Sequence, residues 1–231
     1  MQDSTLRVSE FFCSIQGEGI SAGARCLFVR LATCNLRCSF CDTPYSWDFT
    51  RYDSDQEVQK LEIGELARRI AGAAEGRLVL TGGEPLIQQD GLVRLVALLP
   101  ERLIIEVETN GTLAPCPELL ARVDQWNVSP KLSNSGEPQR RRLLPAVLAR
   151  FAASGRAWLK LVVGSSQDCQ EAAELVQSLG WPPERVLLMP EARSRTQLGE
   201  RAPLVREAAR ALGLGFSPRL HLELYDGARG R

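Results

Sequence analysis

The chain has 231 residues, 44% of them hydrophobic and 24% charged, and its 28 Lys and Arg balance 28 Asp and Glu. That length suits one large domain with a buried core, and the composition excludes disordered, collagenous and coiled-coil chains. Zero formal charge argues against a nucleic-acid-coating surface, and no apolar run approaches a membrane span. Met1 to Thr5 lack the basic and apolar pattern of a signal peptide. The expectation is a cytoplasmic chain forming a single domain over residues 1–231, without direct contact to nucleic acid or membrane.

In chain order, Leu6 to Ile15 and Cys26 to Ala32 read as strands, followed by a long loop from Cys34 to about Asp55. Ile63 to Ala74 reads as a helix, Arg77 to Leu80 as a strand, Gln89 to Leu99 as a helix, Leu103 to Val107 as a strand and Pro117 to Val123 as a helix. Trp126 to Val128 is a short strand, and Ser129 to Arg142 a turn-rich loop. Helices over Leu143 to Ala153, Asp168 to Leu179 and Thr196 to Leu212 then alternate with strands over Ala157 to Val163, Arg185 to Met189 and Arg219 to Leu224. Short apolar strands alternating with helices predict an α/β fold of parallel βαβ units, with strands covered on both faces. About six parallel strands make a partial, open β/α barrel, since a full eightfold barrel needs about 250 residues. Ligands then gather at the carboxyl ends of the strands.

Seven cysteines are present, and Cys34, Cys38 and Cys41 crowd into the loop after the second strand with the spacing C-x3-C-x2-C. Cys13, Cys26, Cys116 and Cys169 are scattered and read as ordinary core or surface residues. Three thiolates so close suit one metal centre. A structural zinc would need a fourth ligand, from Cys13, Cys26 or the single histidine, His221. An iron–sulfur cubane would use three cysteines and leave its fourth iron open. A second motif, Thr81-Gly82-Gly83-Glu84-Pro85, ends the strand at Leu80; it reads either as a turn with Glu84 as its end cap or as a ligand contact.

With Phe40 before the last cysteine, the triad resembles the radical S-adenosylmethionine superfamily, and the double glycine resembles the motif there that meets the methionyl amino group. Ser14-Ile15-Gln16-Gly17-Glu18-Gly19 before the triad, and Asp42-Thr43-Pro44-Tyr45-Ser46-Trp47 after it, are similar to the 7-carboxy-7-deazaguanine synthase family. Glu108-Thr109-Asn110-Gly111, Asn127 to Lys131 and His221 fit that family's order along the chain.

The resemblance implies a radical lyase that contracts 6-carboxy-5,6,7,8-tetrahydropterin to 7-carboxy-7-deazaguanine with loss of ammonia, in queuosine and 7-deazapurine biosynthesis. It implies a [4Fe-4S] cluster on Cys34, Cys38 and Cys41, S-adenosyl-L-methionine on the open iron as source of a 5′-deoxyadenosyl radical, and Mg2+ on Thr43. It further implies cofactor contacts from Phe40, Gly83, Ser129, Pro130 and Lys131. Ile15, Gln16, Gly17, Arg30 and Thr81 are implied to line the pterin site, with Arg30 suited to a carboxylate, and Glu18 stands beside them. No side chain is assigned an acid or base role. The implied partners are a small-molecule pterin, an external flavodoxin- or ferredoxin-type electron donor and a second copy in a homodimer.

Two departures stand out. Tyr225 to Arg231 do not offer the chain-terminal proline contact of some family members, and Met189-Pro190-Glu191 stands where some have a glutamine. A radical activase of another protein would share the cysteine triad, but usually has more chain. Arg140-Arg141-Arg142 reads as a solvated helix start, Trp47 as a wall of the site and His221 as a hydrogen-bonded residue of the last strand.

Overall fold

The computed structural model describes residues 4–230. The first three residues of the stretch read above for targeting lie outside the described residues, as does Arg231.

One nine-stranded sheet organises the chain, in the order β3-β1-β2-β4-β5-β6-β7-β8-β9. Its strands are β1 (Thr5–Ile15), β2 (Arg25–Leu31), β3 (Gln59–Glu62), β4 (Arg77–Gly82), β5 (Ile104–Thr109), β6 (Gln125–Val128), β7 (Ala157–Val163), β8 (Val186–Pro190) and β9 (Gly215–Phe216). The pairs β1·β2 and β1·β3 are antiparallel. From β2 to β9 every pair is parallel, so the open barrel expected with about six parallel strands is extended by the two-residue β9.

The helices are α1 (Ser54–Glu57), α2 (Ile63–Ala71), α3 (Gln89–Ala97), α4 (Pro117–Arg122), α5 (Gln139–Arg142), α6 (Pro145–Ala153), α7 (Ser166–Leu179), α8 (Arg195–Ala211) and α9 (Leu220–Tyr225). In α2, Ile63, Leu66, Ala67 and Ile70 are buried, an i, i+3, i+4, i+7 stripe that packs on the sheet. Two reciprocal hydrogen bonds start α7: Ser165 accepts from Asp168 N and Asp168 accepts from Ser165 N; Gly180 ends the helix in the left-handed region.

Alternation along the strands separates two faces. Leu27, Val29 and Leu31, then Leu78 and Leu80, Ile105 and Val107, Leu159, Leu161 and Val163 join one apolar core with the helices. The residues between them, among them Arg30, Thr81, Glu108, Asn127 and Lys160, line a cleft on the other face. The expectation of two apolar faces therefore fails on the concave side. An open barrel encloses a polar cleft there, so those side chains meet one another and solvent instead of helices.

A second correction concerns the end of the chain. Arg219 to Leu224 is not a strand; α9 begins at Leu220 and carries His221. Leu220, Leu222 and Leu224 have the period of a strand, yet only Leu222 is fully buried and Leu224 is 55% exposed. The segment is held instead by Leu220 N, which donates to Gly17 O at 2.9 Å.

Candidate active site

The cysteine loop begins with a strained residue. Thr33 has φ 77°, an unusual value for a β-branched side chain. Immediately alongside lies the double glycine after β4. Gly83 N donates to Leu31 O at 3.1 Å and Glu84 N to Thr33 O at 2.8 Å. A Cβ on Gly83 would lie 2.2 Å from Thr33 O and 2.8 Å from Cys34 Cβ. The glycines are thus required by backbone packing between two strand ends, and this contact aims the cysteine loop. Glu84 is the end cap of its turn: buried, it accepts from Leu86 N (3.0 Å), Thr109 Oγ1 (2.8 Å) and Asn110 N (2.7 Å), joining β4 to β5.

Cys34, Cys38 and Cys41 all line the cleft, facing the same space as Arg30, Thr81 and Glu108. Leu36 N donates to Cys34 Sγ at 3.4 Å and Trp47 Nε1 to Cys41 Sγ at 3.2 Å. Burial pushes the Cys34 thiol up to about 12 and raises that of Cys38, so ligation by iron must displace protons. The outer side of the loop is tied down: Ser39 N donates to Ser135 O at 2.9 Å, and Arg193 reaches Ser39 O and Phe40 O.

This donor set suits a cubane better than one zinc ion. Cys13 is exposed on β1, and Cys26 packs with Phe28 and Val79, so neither reaches the cleft. Among the described residues no three His, Cys, Asp or Glu side chains converge on one ion. A cubane takes one thiolate per iron and lets the sulfurs stand apart.

Across the cleft lies a polar wall. Glu108 on β5 accepts from Thr81 Oγ1 at 2.9 Å and from Gln16 Nε2 at 3.1 Å. Gln16 Nε2 also donates to Glu106 at 2.8 Å, and Gln16 Oε1 accepts from Glu18 N at 3.1 Å. Burial, then the neighbouring Glu108, raises the pKa of Glu106. Arg30 on β2 donates through Nε to Glu10 at 2.6 Å. Next to these, Glu18 forms a buried ion pair with Lys160 of β7 and accepts from Arg219 Nε at 3.1 Å. Burial alone would raise the Glu18 pKa, but Lys160 and Arg219 hold it well below the usual carboxylate range. Arg219 also pairs with Asp42, the residue between Cys41 and Thr43. Burial lowers the pKa of His221 against the pull of Glu18, 3.8 Å away.

Of the site residues expected from sequence, Ile15, Gln16, Gly17, Arg30, Phe40, Thr43, Thr81, Gly83, Ser129 and Lys131 line this one cleft with the three cysteines. Pro130 does not; it is buried behind Ser129 and Lys131, which hydrogen-bond each other at 3.0 Å. The Gln16 amide is used up by Glu106, Glu108 and Glu18, so it orients the acidic wall instead of presenting free donors. Thr43 offers one hydroxyl, 3.8 Å from Cys41 Sγ.

Glu108, Asn127, Lys160 and Arg219 also line the cleft, and sequence reasoning assigned them no role. A signal was present: Lys160 interrupts an apolar run, and Glu106 and Glu108 alternate with Ile105 and Val107. Charges at period two in a strand flanked by helices mark an enclosed polar face.

Residues 29–134 match the Radical SAM superfamily. The chain is 43% identical to the 7-carboxy-7-deazaguanine synthase of Pyrobaculum aerophilum over 228 residues, 98% of this chain and 97% of that protein. It is 41% identical to the synthase of the same name from Hyperthermus butylicus, over 95% of this chain and 93% of that one. The fold is similar to the crystal structure of QueE from Escherichia coli, with a TM-score of 0.71 at 26% identity, covering 92% of this chain and 93% of that one. The cysteine loop, the open parallel barrel and these full-length likenesses agree: the chain belongs to the 7-carboxy-7-deazaguanine synthase family of radical S-adenosylmethionine lyases.

Proposed function

We propose that this chain converts 6-carboxy-5,6,7,8-tetrahydropterin to 7-carboxy-7-deazaguanine with loss of ammonia, a step of queuosine and 7-deazapurine biosynthesis. The observation that carries the proposal is the pairing, in one cleft, of the cysteine loop with the Arg30 guanidinium and the Glu108 carboxylate. Arg30 suits the substrate carboxylate. Glu108, oriented by Thr81 and Gln16, is an acceptor for the N–H edge of a pterin ring.

Superfamily membership implies a [4Fe-4S] cluster and S-adenosyl-L-methionine. Cys34, Cys38 and Cys41 would hold the cluster, with Phe40, Gly83, Ser129 and Lys131 beside the cofactor and Pro130 bracing the last two. Bound there, the pair supplies a carbon radical able to abstract hydrogen from the substrate. The protein's share is placement: Arg30 and Glu108 hold the two ends of the pterin, and Ile15 and Gly17 flank it. A radical is already reactive, so geometry matters more than acid–base power. Thr43 would give its hydroxyl to Mg2+, whose remaining positions suit substrate oxygens and water.

The same chemistry requires a one-electron donor of flavodoxin or ferredoxin type. We place the protein in the cytoplasm as a homodimer of single-domain chains. Anaerobic turnover of reconstituted protein with authentic carboxytetrahydropterin tests the assignment. The expected outcome is 7-carboxy-7-deazaguanine by mass spectrometry, lost in Arg30→Ala with the cluster intact. No such product from cluster-loaded protein would overturn the assignment and favour a radical activase acting on a protein partner.

A further inference from the structure

Arg30 is not positioned by its own strand alone. Its Nε donates to Glu10 Oε2 at 2.6 Å, across the antiparallel pair β1·β2 in which Glu10 and Arg30 are register partners. The same oxygen accepts a second hydrogen bond, from the Tyr45 hydroxyl at 2.9 Å. Tyr45 lies on the one-turn segment Pro44–Ser46, directly after Thr43, and is 7% exposed. Its ring carries a guanidinium from the far end of the chain: Arg229 Cζ lies 3.6 Å from the ring centroid. Arg229 is gripped in turn by Glu57 at 2.5 and 3.2 Å, and its Nε stands 3.9 Å from Glu10 Oε1.

Glu10 therefore receives groups from β2, from the loop after the cysteines and from the C-terminal segment. The Arg30 terminal nitrogens find no acceptor among the described residues, although the residue lines the cleft. A guanidinium with its Nε fixed and its terminal fork free is set for end-on recognition of a carboxylate. Burial, then Glu10, raises the Tyr45 pKa, which keeps the phenol a donor.

We propose that Glu10 and Tyr45 are positioning residues that aim Arg30 at the substrate carboxylate, and that Arg229 locks this pair from the C-terminal segment. This rests on the assignment of Arg30 to a carboxylate-bearing pterin. It makes recognition of the carboxylate depend on the loop that also carries Thr43 and on a residue more than 170 positions away from that loop. Losing the Tyr45 hydroxyl frees Glu10 to swing and lets the Arg30 fork rotate, while the rest of the cleft stays in place. The Tyr45 ring also packs edge-on against Tyr52, a contact that phenylalanine retains.

Equilibrium binding to cluster-loaded protein without reductant tests this, using carboxytetrahydropterin and tetrahydropterin lacking the carboxylate. Tyr45→Phe should weaken the carboxylated pterin about tenfold, the size of one hydrogen bond to a charged group, and leave the other pterin unchanged. Glu10→Gln should act in the same direction. Arg229→Gln should weaken the carboxylated ligand about threefold, with partial recovery in Arg229→Lys. Thermal melting confirms that each variant is folded. If Arg30→Ala discriminates between the two pterins while Tyr45→Phe and Glu10→Gln bind both as the parent does, the positioning role is overturned. If Arg30→Ala does not discriminate, the assignment of Arg30 falls and the positioning role falls with it.

Discussion

A Cβ on Gly17 would lie 2.2 Å from Nδ1 of His221 and 3.0 Å from its backbone nitrogen. The first glycine of the Gln-Gly-Glu-Gly segment thus makes room for α9, and the Leu220 N to Gly17 O hydrogen bond seals the contact. Gly17→Ala should push α9 off the cleft and cost about 1–3 kcal/mol, as overpacking does. Adding His221→Ala should recover part of that loss, because the imbalance is steric and shared. Denaturant midpoints of the two single variants and the double variant check this; strict additivity would contradict it.

Gly83→Ala should act on cluster occupancy. Its Cβ would overlap Thr33 O, a backbone atom that cannot rotate away, and would press on Cys34 Cβ. The cysteine loop must shift, and the variant should hold clearly less iron after anaerobic reconstitution than the parent. Iron analysis and the visible absorption of the reconstituted protein would show it, whether or not turnover survives.

Removing a ligand should be more drastic. Cys38→Ala leaves two cluster cysteines, and the parent's content of about four irons and four sulfides per chain should collapse. A variant that retains a full cluster and turns over would exclude Cys38 from the ligand set.

Thr43→Ala should leave the iron content unchanged and reduce the stimulation of turnover by Mg2+. Assays in chelator-treated buffer with Mg2+ added back separate the two effects. Equal rates of the parent with and without Mg2+ would remove the metal from the proposed function.

Glu18 should leave a signature in acid. Its folded pKa lies below the ordinary value of 4.5 because Lys160 and Arg219 outweigh its burial. A depressed carboxylate contributes stability that is fully present above the unfolded value and is lost as pH falls through the folded one. The parent should therefore lose stability below about pH 4.5, with a steeper slope than Glu18→Gln. At neutral pH the same variant should cost about 3 kcal/mol, because two buried cations lose their shared partner. Urea titrations at pH 7, 4.5 and 3.5 compare the slopes; parallel curves would place the acid sensitivity elsewhere.

The cysteine spacing, the Thr81 to Pro85 turn and the alternation of strands and helices were legible in the residues alone. Each is a local matter: three thiols within eight positions must share a loop, and an apolar period of 3.6 or 2 sets which face is buried. Helices α2, α3, α6, α7 and α8 accordingly start within about two residues of their expected positions. The strand assigned to Arg219 to Leu224 failed because its alternating leucines were weighed without the contact that decides the segment, the docking of Leu220 on Gly17. Nor could local pattern show that Gln16 spends its amide on Glu106 and Glu108, that Lys160 meets Glu18, or that Arg229 reaches Tyr45. Those partners lie about 90 to 185 positions apart and become neighbours only when the sheet curves and brings its strand ends, loops and C-terminal segment around one cleft. Which residues are able to do chemistry was written in the sequence; which of them are free to touch a substrate, and which are spent holding the others, was decided by the curvature of the open sheet around the cleft.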